Sequence, residues 1–123
     1  MCLDYNSAAA SFNEDIGAWD TSGVTTMDSM FHHASDFDRD IGGWAVQSVT
    51  DMRGMFQGAS AFDQDLGWCV AKKVELHKAF EKAKCASTSC GAVQVADVAD
   101  CPTPARKYHP RRDDWLLWLL RAF

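Results

Sequence analysis

Residues 12–36 read FNEDIGAWDTSGVTTMDSMFHHASD, and residues 37–61, which follow directly, read FDRDIGGWAVQSVTDMRGMFQGASA. The two stretches are identical at twelve of their 25 positions, whereas unrelated segments of this length would share about one or two. Most of the shared residues are aromatic, aliphatic, Gly, Asp or Met. The sequence is therefore built from copies of a 25-residue unit.

A third and more divergent copy begins at Phe62. It keeps six residues of the pattern at the same spacing, namely Phe62, Asp65, Leu66, Gly67, Val74 and Phe80. His77 stands 25 residues after Met52, and Trp68 comes one residue early. Terminal repeats commonly diverge because one of their faces meets water instead of another copy. We therefore interpret residues 62–90 as a degenerate C-terminal capping repeat.

A partial copy precedes the regular ones. Cys2 and Ala9 lie 25 residues before Met27 and Ala34, so the chain opens inside a repeat. Residues 1–61 thus form the regular part of the array, and we expect further copies upstream in a longer protein.

Each regular copy contains one segment with helical spacing. Met27, Met30, Phe31 and Ala34 lie at i, i+3, i+4 and i+7, as do their equivalents from Met52 to Ala59. This spacing predicts a short amphipathic helix, with Thr25 or Thr26 as its N-cap. The other half of the unit, Phe-x-x-Asp-Ile-Gly-x-Trp, predicts a short strand. Such a unit cannot close a core alone, so stacking of the copies is expected to bury their apolar positions.

The charge is unevenly distributed. Residues 1–68 carry eleven acidic side chains against two arginines, whereas residues 69–123 carry ten basic side chains against six acidic ones. The acidic part argues against binding to a nucleic acid backbone, which needs clustered Lys and Arg. The apolar end at residues 115–123 is nine residues long, against about 20 needed to span a bilayer. We therefore expect neither a nucleic-acid partner nor a transmembrane segment.

The sequence offers little chemistry. Asp36, Asp38 and Asp40 begin like a calcium loop, but Ile41 and Gln47 occupy positions where an EF-hand needs Gly and Glu. Stacked Asp15, Asp40 and Asp65 could bind calcium or could cap tight bends, and we favour the caps. His32 and His33 are interpreted as surface residues. With no nucleophile beside a recognisable base and no phosphate-binding loop, we expect no enzyme activity, no metal and no cofactor.

Four cysteines follow the regular copies: Cys69, Cys85, Cys90 and Cys101. Their position in a small cap suggests disulfides with three possible pairings, whereas zinc is disfavoured because no Cys-x-x-Cys pair is present. Residues 91–107, which include Pro102 and Pro104, predict a linker. Residues 108–123 form a non-repeat tail that is either unstructured or a short docking helix with Arg111 and Arg112 near an anionic surface.

The repeat resembles the BspA-like leucine-rich-repeat surface proteins, in the variant of unknown function first noted in mycoplasma lipoproteins. The resemblance rests on Phe12 to Ile16, Trp19 to Ser22, Val24-Thr25, Met27, Met30-Phe31 and Ala34, and again on residues 37–59. It implies a leucine-rich-repeat-like α/β solenoid with one strand and one helix per coil, located extracellularly or at a cell surface. Asp65 to Val70 resembles the family's array end with one residue missing. Ala45-Val46-Gln47 departs from the family's turn, so an irregular loop is expected there.

Two functions are consistent with these features. The first is a non-catalytic recognition or adhesion module that binds a protein or cell-surface ligand, and the second is a passive spacer within a longer surface protein. For a recognition module, the positions that differ between copies are the candidate ligand-binding residues: Asn13, Glu14, Asp38, Arg39, Asp63 and Gln64.

Overall fold

The computed structural model describes residues 7–102. Its regular elements are few: a one-turn helix α1 (Ser7–Ala10), strands β1 (Cys69–Ala71) and β2 (Val93–Val95), and two 3₁₀ helices at Ala86–Gly91 and Val98–Asp100. Between α1 and β1 the chain runs mainly through turns. Hydrogen bonds between residues 23 to 26 apart join each copy of the repeat to the next, so the copies lie against one another in sequence order.

The segment that follows the conserved Val-Thr pair forms the main contact between copies. Along it, every second N–H donates to a carbonyl of the following copy. These bonds are Met27 N–H to Asp51 O (2.8 Å), Ser29 to Arg53 (2.8 Å), Phe31 to Met55 (2.7 Å), His33 to Gln57 (2.8 Å), Met52 to Glu75 (2.8 Å), Gly54 to His77 (3.0 Å), Phe56 to Ala79 (2.7 Å) and Gly58 to Glu81 (2.9 Å). The copies are thus joined by a continuous parallel ladder.

The helix expected over residues 27–34 and 52–59 is not formed. The intervening N–H groups close tight turns within their own copy, as Met30 does to Met27 O (3.3 Å) and Ala34 to Phe31 O (3.0 Å). Two residues per copy, four positions apart, take left-handed backbone angles: Ser29 and His33, Gly54 and Gly58, and Lys78 and Lys82. Residues with left-handed backbone angles interrupt an α-helix. Every second N–H group of the segment therefore donates to the next copy instead of to a carbonyl of its own copy.

The core consists of apolar rows that run through the stack. Phe31 stacks on Phe56 with ring centroids 5.3 Å apart, and Phe56 stacks on Phe80 at 5.8 Å. A second aromatic row joins Phe12, Phe37 and Phe62 at 5.9 and 5.8 Å. The rows touch, because the Phe31 and Phe37 centroids are 4.1 Å apart. Rings at equivalent positions thus lie with nearly parallel planes and well-separated centroids, the offset-stacked arrangement that aromatic rings favour over a direct face-to-face contact.

The loop around Ala45–Gln47 is regular, contrary to expectation. Val49 N–H donates to Val46 O at 3.2 Å, as Val24 N–H donates to Thr21 O at 3.0 Å in the preceding copy. Val46 is buried and fills the apolar interior beneath this turn. The turn is therefore kept, and the apolar side chain of Val46 packs in the core at the position where the preceding copy has Thr21.

The third copy is shifted by one residue against the sequence alignment. Asp51 pairs with Glu75, 24 residues later, and Phe80 stacks on Phe56 although the 25-residue spacing aligns it with Met55. His77 consequently lies opposite Arg53 and is exposed, while Leu76 packs against the core at the place expected for His77. The change of register lies at Glu75, because Val74 N–H bonds to Ala71 O just as Val49 N–H bonds to Val46 O 25 residues earlier.

The cap extends further than predicted. β2 pairs in parallel with β1, with Cys69 opposite Val93 and Ala71 opposite Val95. Disulfides join Cys69 to Cys101 and Cys85 to Cys90. The first of these ties Cys101 to the edge of the third copy. Within the predicted linker, Val93–Val95 therefore pair with β1 and Cys101 is cross-linked, although most side chains of residues 91–102 are exposed.

The remaining predicted linker residues and the tail at 108–123 lie outside the described residues. Within residues 7–102, no helix has the length and hydropathy needed to cross a membrane.

Candidate functional site

The six candidate ligand-binding residues lie in two adjacent rows on one side of the stack. In the first row, Asp38 N–H donates to Asn13 Oδ1 and Asp63 N–H donates to Asp38 Oδ1, both at 3.0 Å. Each of these side chains therefore holds the backbone of the next copy. Asn13 and Asp38 differ in residue type but provide an acceptor oxygen at the same place in their copies. Their first task is structural, which comparison of the copies alone did not indicate.

The second row is more available to a ligand. Glu14 and Arg39 are exposed and Gln64 is half-buried. Arg39 Nε donates to Asn13 O at 2.8 Å, and Gln64 Nε2 donates to Asp38 Oδ1 at 2.7 Å. The row thus presents an acid, a guanidinium and an amide at successive repeat positions, and two of these are held in place by hydrogen bonds to the first row.

At the third copy, these rows end beside Lys84. Lys84 Nζ lies 3.7 Å from Asp63 Oδ2, and both side chains are largely exposed. An exposed ion pair of this kind contributes little to stability because water screens it. The surface is therefore of mixed charge, with carboxylates and cations side by side.

The conserved aspartates act as bend caps. Gly17 N–H donates to Asp15 Oδ1 at 3.2 Å, and Gly42 N–H donates to Asp40 Oδ1 at 2.9 Å. Asp20 caps the following turn in the same way, and its bonds from the Ser22 hydroxyl and N–H lower the pKa of its carboxyl. Such Asx turns account for the recurrence of Asp at this bend.

A second charged cluster lies over the turn ladder. Arg53 Nε donates to Asp51 Oδ1 at 3.0 Å, and its Nη2 donates to Oδ2 at 2.7 Å. This bidentate contact lowers the pKa of Asp51 and raises that of Arg53. The negative charges of Asp28 in the first full copy and Glu75 in the third copy raise the pKa of Arg53 further. The arginine is therefore fixed among carboxylates and offers little charge to an anionic ligand.

His32 and His33 lie close together, with ring centroids 4.1 Å apart and nearly perpendicular planes. Burial lowers the pKa of His32, and repulsion from His33 lowers it further. The His33 ring packs over Gly58, where an added Cβ would lie 2.6 Å from Nδ1. The pair is thus partly shaped by packing between copies. Within residues 7–102, no group of three or more His, Cys, Asp or Glu is placed to hold a metal ion.

A broad open depression, which the sequence did not indicate, lies between the second copy and the end of the cap. Its walls include Trp44, Trp68, Val98 and Cys101. Trp44 Nε1 donates to Ile16 O at 3.0 Å, whereas the buried Trp68 Nε1 finds no acceptor among residues 7–102. The difference goes with the early position of Trp68, one residue ahead of the repeat spacing.

The repeat copies and most of the cap match a known protein family. A family model described as "Mycoplasma protein of unknown function, DUF285" matches residues 4–93. The chain belongs to this family. The match runs from the partial first copy to the start of β2, so the family pattern covers the repeat stack and most of the cap. Comparisons with curated proteins and with solved structures gave no match.

Proposed function

We propose that this chain is a non-catalytic recognition or adhesion module of a surface or secreted repeat protein. One observation carries the proposal: the second row, Glu14, Arg39 and Gln64, changes its chemistry at each copy while the bonds that hold the copies stay the same. Residues that vary on an otherwise constant scaffold are suited to contacting a ligand.

The architectural part of the proposal is a solenoid of the BspA-like leucine-rich-repeat type. The parallel ladder between copies and the continuous aromatic rows support this assignment. Stacked turns stand where the helix is expected, and residues 12–19 and 37–44, for which a strand is expected, form no strand. Two disulfides in the cap support an oxidising location, such as the cell exterior.

The proposed row can be tested by replacing Glu14, Arg39 and Gln64 together by alanine. Binding of the labelled full chain would be measured on a panel of immobilised cell-surface and extracellular-matrix proteins. The triple variant should lose binding at least about tenfold, while its free energy of unfolding falls by no more than about 2 kcal/mol for two lost hydrogen bonds. A matched control replaces the exposed Gln47 and Ser48, which lie on another turn, and should bind normally.

The second candidate function is a passive spacer, because a stack of repeats can hold two parts of a longer protein a fixed distance apart without binding a ligand. Absence of binding by the wild-type chain to every member of the panel would favour the spacer. Binding that the triple variant retains in full would refute the proposed row.

A further inference from the structure

The two ends of the turn ladder are chemically different. Within the ladder, the N–H groups point towards the following copy and the carbonyls towards the preceding one. Within residues 7–102, no further copy lies beside this segment of the third copy, because the chain continues beside β1 instead. We define residues 76–82 as the donor edge, since they present the N–H side of the last ladder rung.

Four backbone donors of the donor edge are unused. Their equivalents in the second copy, Met52, Gly54, Phe56 and Gly58, all donate to the third copy. The N–H groups of Leu76, Lys78, Phe80 and Lys82 have no hydrogen-bond partner among residues 7–102. A row of unpaired backbone donors is a template for another chain.

Apolar side chains accompany these donors. Leu76 and Phe80 are half-buried, whereas Met52 and Phe56 at the equivalent positions are 1% and 0% exposed. A chain that covers the donor edge would therefore complete the burial of two core residues as well as pair four N–H groups.

The donor edge is also basic. Residues 76–82 contain two lysines, Lys78 and Lys82, and one glutamate, Glu81, and both lysines are exposed. Glu81 is turned towards the second copy, since its Oε2 accepts from Gln57 Nε2 at 2.5 Å. The positive charge is therefore left to face an incoming partner.

We propose that the donor edge binds an acidic polypeptide segment that also carries apolar side chains. The edge is folded into successive turns, as Ala79 N–H to Leu76 O (2.9 Å) and Glu81 N–H to Lys78 O (3.2 Å) show, so a straight β-strand cannot keep register with all four donors. Carboxylates on flexible side chains can reach such donors, and backbone N–H groups beside lysines favour them. Leu76 and Phe80 select a peptide over a uniformly charged polymer, which offers no apolar groups.

The site is independent of the row at Glu14, Arg39 and Gln64. The test uses the full chain and a short fluorescent peptide with the repeating sequence Glu-Leu-Asp-Phe, followed by fluorescence anisotropy. A second peptide replaces its acidic residues by lysine. The acidic peptide should bind saturably and the lysine peptide should not. The amides of Leu76, Lys78, Phe80 and Lys82 should exchange hydrogen more slowly in the complex.

Charge reversal at Lys78→Glu and Lys82→Glu together should weaken binding at least about tenfold. The matched control, Lys72→Glu with Lys73→Glu, makes the same charge change beside β1 and should alter binding less than about twofold. The double variant Lys78→Gly and Lys82→Gly removes the charges but suits the left-handed backbone, so it should fold and also bind more weakly.

Equal losses in both lysine pairs, or unchanged exchange at the donor edge, would overturn the proposal. So would edge amides that are already protected in the free protein, whether by a second copy, shown by concentration-dependent sedimentation, or by residues 103–123, shown by exposure on their deletion. Heparin that binds as tightly as the acidic peptide and depends on the same lysines would also overturn it. Failure of the triple alanine variant to affect adhesion would leave these outcomes unchanged.

Discussion

The ring of His33 occupies the space where a side chain at Gly58 would project. Gly58 has a φ of 77°, and an added Cβ would meet His33 Nδ1 at 2.6 Å. Gly58→Ala should therefore lower the free energy of unfolding by about 1–3 kcal/mol, through backbone strain and displacement of the ring. Urea unfolding followed by tryptophan fluorescence measures the loss.

Gly43→Ala is the matched control for Gly58→Ala. A Cβ at Gly43 meets nothing within 4 Å, and its φ is not in the left-handed region. This change should be neutral or stabilise by up to about 1 kcal/mol. Equal effects of the two substitutions would show that the close contact with His33 does not constrain the turn.

At single positions, sequence reasoning succeeded where the chemistry is local. Asp15 and Asp40 were expected to cap bends, and each accepts a bond from the N–H two residues later. It was incomplete at Asn13 and Asp38, whose bonds reach residues 25 positions away. Variation between copies suggested a free surface there, but Asn and Asp exchange without loss because both supply the same acceptor oxygen.

At the level of elements, the buried positions were predictable and the backbone was not. Met27, Phe31 and Ala34 are buried as the spacing required, because turns that repeat every few residues put the same positions inside as a helix does. One feature of the sequence argues against a helix: Gly54 and Gly58 fall inside the predicted segment, and each glycine destabilises a helix by about 1 kcal/mol relative to alanine. Both take left-handed angles, and their own N–H groups donate to carbonyls of the third copy.

The strand β2 was missed for a related reason. Val93–Val95 is three residues long, too short for periodicity to distinguish from a linker. It is stabilised by pairing with β1 and by the bond from Cys69 to Cys101. Neither contact is visible in the local sequence, since each spans more than 20 residues.

The two disulfides should differ in what they stabilise. With a separation of 32 residues, the bond from Cys69 to Cys101 should contribute about 4 kcal/mol by loop closure, against about 2 kcal/mol for a separation of 5. Replacing Cys69 and Cys101 by alanine should free β2 while the turn ladder stays formed. Hydrogen exchange at Val93 and Lys72, whose amides bond across the β1–β2 pair, should rise steeply, and exchange at Phe31 should not.

Replacement of Cys85 and Cys90 by alanine provides the comparison for the cap. Both cysteines of this bond are buried, whereas residues 86–89 between them are exposed, so its removal should loosen residues 86–91 and lower stability without releasing β2. Unchanged exchange at Val93 in the variant without Cys69 and Cys101 would contradict the assignment, because strand pairing alone would then hold the cap.

On the scale of the whole molecule, within residues 7–102, several apolar side chains of the second copy are more deeply buried than their equivalents in the first full copy and the third copy. Trp44 is 3% exposed while Trp19, at the equivalent place in the first full copy, is 55% exposed. At the other end the donor edge leaves Leu76 and Phe80 half-covered. Stability in such an array is close to a sum of terms for each copy and for each interface, so a residue that contacts three copies should matter most.

Phe56 is such a residue. Its ring contacts Phe31 in the copy before and Phe62, Trp68 and Phe80 in the copy after, at centroid distances from 4.1 to 6.5 Å. Phe56→Ala should therefore lower the free energy of unfolding by about 3–5 kcal/mol. Phe80→Ala removes the same ring at the end of the row, where it is already half-exposed, and should cost less than half as much. Urea unfolding of both variants measures the ratio. Equal costs would mean that the cap contributes as much packing as the centre, and the stability of the chain would then not follow from the stacking of its copies.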